Sequence, residues 1–108
     1  MRILFDHGTP IGIARSLKGH EVTEAIDRGW HKISNGEPLK VAEQTGFDLL
    51  LTTDKRIRYQ QNLRTRKIAI VVLRNSTWRI ARLYLDRIAA AVNAATAGSY
   101  AEVDIPFE

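Results

Sequence analysis

The sequence predicts an α/β domain in which helices pack around a mostly parallel sheet. Three observations carry that prediction. The apolar runs "RILF" (Arg2–Phe5), "FDLLLTT" (Phe47–Thr53) and "KIAIVVL" (Lys67–Leu73) are near-continuous, the pattern of strands buried on both faces. Segments with helical spacing alternate with these runs. The length, 108 residues, suits one compact domain, so 1–108 is read as a single unit.

The first strand stops at Asp6. Thr9-Pro10 reads as a helix start, because Thr can cap and Pro fits a first turn where its missing N–H is not needed. Ile11, Ile13, Ala14 and Leu17 supply that helix with an apolar face, and Gly19 ends it. "HEVTEA" is a weaker second strand. "DRGWHKISNGE" is loop-rich, with Asp27 in a turn before a buried Trp30. Asn35 is placed as the N-cap of a helix near 36–44, with Pro38 in its first turn, Leu39, Val41 and Ala42 inside, and Gly46 as its stop. After the strand at 67–73 a long helix is expected over Thr77–Ala95, with Ile80, Leu83, Ile88, Val92 and Ala95 on its inner side. "SYAEVDI" closes the fold as an edge strand.

Composition narrows the function classes. The net charge is +4 and the pI about 9.8, a mild basic excess that favours an acidic or polyanionic partner. There is no cysteine, hence no disulfide framework and no thiolate metal site. That fits a reducing cytosol, and a cytoplasmic location is the expectation. No stretch approaches the roughly 18 apolar residues of a membrane span, so no membrane partner is expected.

Ligands of open α/β sheets bind beyond the carboxyl ends of the strands. Two apolar strands here end at an acid, Asp6 and Asp54, and parallel strands place both at one sheet edge. Glu37 opens a helix leading into the second of these strands, so it starts near the same edge. Three carboxylates gathered there repel one another unless a cation holds them, and oxygen donors suit Mg²⁺ or Mn²⁺. Taken singly, each acid also has a structural explanation: an aspartate after a strand caps a turn, and a glutamate in a first helical turn favours the helix dipole.

The segment after Asp54 is basic. Lys55, Arg56, Arg58, Arg64, Arg66 and Lys67 are interleaved with Tyr59, Gln60, Gln61 and Asn62. Cations neutralise phosphates, Tyr stacks on bases and amides bond to backbone or base edges. Lys55, Arg56, Arg58, Tyr59, Gln60 and Asn62 are therefore candidate RNA contacts, with a solvated basic face as the plainer reading.

The motifs "MRILFDHGTP", "LKGHEV", "DRGW", "NGE", "AEQTGFDLLLTTDK" and "YQQNL", in that order, resemble the small bacterial PIN-like proteins, relatives of the VapC-type toxin nucleases. The resemblance runs from about Met1 to Leu73. It implies a three-layer PIN-like α/β/α sandwich and a Mg²⁺- or Mn²⁺-dependent ribonuclease site made by Asp6, Glu37 and Asp54. It also implies RNA as substrate and an antitoxin protein as partner. The chain departs from the family pattern at Asn35 and Arg56, where acids are common, and at His7, often an acid or amide. His7, Asn35 and Asp27 are candidates for auxiliary roles. The reduced acid set supports an alternative, a catalytically impaired module that binds nucleic acid or a protein. A third function class is a homodimer built on the long helix.

Overall fold

The computed structural model describes residues 1–30, 37–57 and 66–106, with the backbone alone for 37 and 38. Five strands form one sheet: β1 (Arg2–Phe5), β2 (Glu21–Glu24), β3 (Leu49–Thr52), β4 (Ala69–Leu73) and β5 (Tyr100–Val103). Every pairing is parallel, and the order is β2-β1-β3-β4-β5.

Strand alternation sorts the apolar side chains into two layers. Ile3, Phe5, Leu49, Leu51, Val71 and Leu73 pack on one face. Leu4, Leu50, Ile70 and Val72 pack on the other. The first layer is covered by the turn of 3-10 helix at Ile11–Ser16 and by helices α2 (Trp78–Ala81) and α3 (Leu85–Ala94). The second is covered by helix α1 (Glu37–Thr45), through Leu39 and Ala42, and by Phe47 and Ile57. The expected α/β architecture around a parallel sheet is what forms, and each inner strand is buried because helices or turns lie on both faces.

α1 ends as its sequence dictates. Gly46 has φ +103°, its N–H donates to the Glu43 carbonyl, and the Phe47 N–H reaches the Ala42 carbonyl. Arg2 Nη1 donates to the Thr45 carbonyl at 2.9 Å and the guanidinium lies 4.7 Å from the Phe47 ring centre. A Cβ at Gly46 would stand 2.8 Å from Arg2 Nη1. Gly46→Ala is therefore expected to lower stability by about 1–2 kcal/mol, from the left-handed backbone alone. A urea midpoint equal to that of the wild type would contradict this.

Three expectations need correction. The segment after Pro10 is 3-10 helix rather than α-helix, and its N-cap position is Pro10 without a side-chain cap. Thr9 instead turns inward, and its hydroxyl donates to the Leu51 carbonyl at 3.1 Å. Within the 3-10 turn Ile13 is buried, Leu17 is buried at its C-cap, and Ile11 is 54% exposed. The helix expected over 77–95 is two helices. The N–H groups of Leu83 and Tyr84 bond to carbonyls three residues back, and α3 restarts from Tyr84. The break turns Ile80 and Ala81, then Ile88 and Val92, onto the sheet and leaves Leu83 62% exposed. Finally, Trp30 is only half-buried; it packs edge-on to Phe47, with Arg28 over its ring.

Candidate functional site at the carboxyl edge of the sheet

The chain leaves β1 for one edge of the sheet, then crosses back to place β3 on the other side of β1. After β1 it feeds the first layer, through Ile13 and Leu17. After β3 it feeds the second, through Ile57. The carboxyl ends of β1 and β3 thus part to opposite faces, which opens a crevice at the point where strand order reverses.

Asp6 and Asp54 flank that crevice. Phe5 pairs with Leu51, so Asp6 follows in register with Thr52. Asp6 is 8% exposed and Thr52 fully buried. The Thr52 hydroxyl donates to Asp6 Oδ2 at 2.7 Å and accepts the Asp54 N–H at 3.1 Å. One buried hydroxyl therefore ties the two acidic positions together. The His7 N–H donates to Asp6 Oδ1 at 2.9 Å, and the Asp6 N–H donates to the Leu51 carbonyl. Asp54 is half-buried; its Oδ1 accepts the Arg56 N–H at 2.9 Å, closing a turn that also bonds Ile57 N–H to the Asp54 carbonyl. Asp54 thus fills the turn role that its type suggests, while standing at the crevice.

The sequence reading did not single out Thr52, and it gave Thr9 only a capping role. The available signal was a hydroxyl residue ending an otherwise apolar, doubly buried strand.

The other candidates distribute as follows. Glu37 is the first residue of α1, whose last turn is held at the amino edge by Arg2, so the helix begins toward the carboxyl edge. Its side chain, with Asn35, Arg58, Tyr59, Gln60 and Asn62, lies outside the described residues. His7, Lys55 and Arg56 are exposed at the crevice rim. Asp27 is exposed in the 3-10 turn after β2, one strand beyond β1. Arg66 and Lys67 do not belong to the cluster around Asp54. They precede β4 at the amino edge, where the Lys67 N–H bonds to Glu43 Oε2 at 3.0 Å. A strand separates them from Asp54, because the chain must return to the start of the sheet to lay β4 parallel to β3.

Next to Asp54, a polar crevice of ≈ 270 Å³ is lined by Thr53, Lys55, Arg74 and Ser76, among others. A larger hollow of ≈ 430 Å³ lies at the amino edge, with Glu43, Asp48 and Lys67. The smaller hollow lies at the carboxyl edge, between the ends of β3 and β4, with Thr53 and Lys55 on either side of Asp54 in the chain; Asp6 and Asp54 are not among its lining residues.

Among the described residues, no three His, Cys, Asp or Glu side chains converge as a metal site. Asp6 and Asp54 bring two carboxylates to the same sheet edge, with the Thr52 hydroxyl bonded to the Asp6 carboxylate and to the Asp54 backbone N–H. Mg²⁺ is commonly held by one or two carboxylates with water completing its shell, so the donor chemistry fits such an ion. Also among the described residues, no helix is long and apolar enough to cross a membrane. Compared with protein-family models, curated proteins and solved structures, the chain matches none.

Proposed function

We propose that the protein is a metal-dependent endoribonuclease of the PIN-like kind, with Asp6, Asp54 and Glu37 as its acidic centre. The observation that carries the reading is the pairing of Asp6 and Asp54 at the strand-order reversal, coupled through the Thr52 hydroxyl. A buried carboxylate needs compensation, and Asp6 accepts hydrogen bonds from the Thr52 hydroxyl and the His7 N–H. Asp6, Asp54 and Glu37 would hold Mg²⁺ or Mn²⁺. When bound, the cation supplies water activation and neutralises charge building on the phosphodiester. The basic residues after Asp54 steer and hold the RNA backbone. A toxin role, neutralised by an antitoxin, follows from the resemblance.

The test is a time course of cleavage of labelled RNAs of diverse sequence by the purified protein. Cleavage should require Mg²⁺ or Mn²⁺ and stop with chelator. Binding without cleavage would favour the alternative, an impaired module that holds RNA or a protein, and Arg56 at a position where the family commonly has an acid already points that way.

The double substitution Arg56→Ala, Arg58→Ala should weaken RNA binding and flatten its salt dependence. Each lost phosphate contact lowers the slope of log K against log salt by about 0.7 on a single strand. An unchanged slope would return both residues to a solvated face.

A further inference from the structure

We propose that Trp78 and Arg15 form a stacking subsite for an unpaired base of the RNA strand, next to the Asp6–Asp54 crevice. This inference rests on the ribonuclease reading above. Trp78 opens α2 and is 40% exposed. With Pro10, Ile11, Gly12 and Arg15 it lines an open groove of ≈ 420 Å³. An aromatic ring of this size usually contributes to a core, and here it is held at the surface instead.

Gly12 explains how the ring is held. A Cβ there would lie 2.5 Å from Trp78 Cη2 and 2.6 Å from Cζ2. The indole therefore rests on bare backbone of the 3-10 turn, and any side chain at position 12 would displace it. A ring fixed in this way loses little freedom when a flat partner stacks on it.

Charge indicates which flat partner. Among the described residues that line the groove, Arg15 carries the one charge. Arg79 and Arg82, both exposed, follow Trp78 in and after α2. A π-surface beside cations is the arrangement that binds single strands without regard to base identity. A protein partner fits less well. One tryptophan and one isoleucine framed by arginine make a small apolar surface, against about 800 Å² per partner in a standard protein interface.

Position links the groove to the acids. Ile11 follows shortly after Asp6, and the polar crevice beside Asp54 is lined as far as Thr77, the residue before Trp78. A strand with its scissile phosphate at Asp6 and Asp54 can pass Lys55 and Arg74 and set a neighbouring base on Trp78.

The test uses single-stranded RNA with chelator present, so that binding is read without cleavage. Trp78→Ala should weaken binding about tenfold or more, and Trp78→Phe should keep most of it. Gly12→Ala should weaken binding as Trp78→Ala does, because it dislodges the ring. RNA should quench tryptophan fluorescence in the wild type, and the quench should disappear in Trp78→Phe. Thermal melts control for folding; if Trp78→Ala unfolds, the quench and the same RNA with abasic sites decide. Unchanged RNA affinity in a folded Trp78→Ala overturns the subsite and leaves the ribonuclease reading standing. Absence of both RNA binding and metal-dependent cleavage in the wild type overturns both. A quench by an acidic, leucine-containing peptide and not by RNA overturns it in favour of protein docking.

Discussion

Asp54→Asn is expected to abolish RNA cleavage with Mg²⁺ or Mn²⁺ while the domain stays folded. Asparagine keeps the shape and removes the charge a divalent cation needs. Its carbonyl oxygen can still accept the Arg56 N–H, so the turn at 54–57 survives. On the proposed reading Asp54 is a direct ligand, and its loss should exceed the roughly 10–100-fold effect of losing an outer hydrogen-bond partner, so a drop of at least about 100-fold is expected. The measurement is the cleavage rate of labelled RNA with each metal, beside thermal melts of both proteins. A mutant that cleaves as fast as the wild type would show that the activity lies elsewhere or belongs to a contaminant. If expression of the wild type arrests growth, Asp54→Asn should relieve the arrest.

Thr52→Val should produce a large loss of stability at a position with no charge of its own. Valine fills the same volume in a fully buried site but can neither donate to Asp6 Oδ2 nor accept the Asp54 N–H. A hydrogen bond to a charged group contributes about 1.5–3 kcal/mol, and the partner left behind is nearly buried. The expected loss is about 2–3 kcal/mol, a fall in Tm on the order of 10 °C for a domain of this size. Thr52→Ser restores the hydroxyl and should recover most of it. Equal urea midpoints for Thr52→Val and wild type would mean that the bridge contributes nothing. Since the bridge also aims Asp6, cleavage by the valine variant should fall under conditions where the protein remains folded.

Much of the frame was legible along the chain. Near-continuous apolar runs at 2–5, 47–53 and 67–73 marked strands buried on both faces, and strands form within them at 2–5, 49–52 and 69–73. Gly46 marked the end of α1, because only glycine takes its backbone angle without strain. Asp6 and Asp54 were legible as acids that end apolar runs. The break at 82–84 was not, as neither glycine nor proline marks it; it accompanies the packing of Ile80, Ala81, Ile88 and Val92 together in the first layer.

The sequence by itself determined that acids would stand at strand ends, and that parallel strands would bring those ends to one edge. Only the tertiary structure decided that β1 and β3 are neighbours, that Thr52 lies in register with Asp6, and that Gly12 and Trp78 meet. The physical reason is the range of the signal. Period and propensity describe each segment against its own backbone, and doubly buried apolar strands pair almost equally well with one another. Which of them become neighbours is fixed by the crossover segments and the layers they must cover, and that choice exists only once the whole chain is packed.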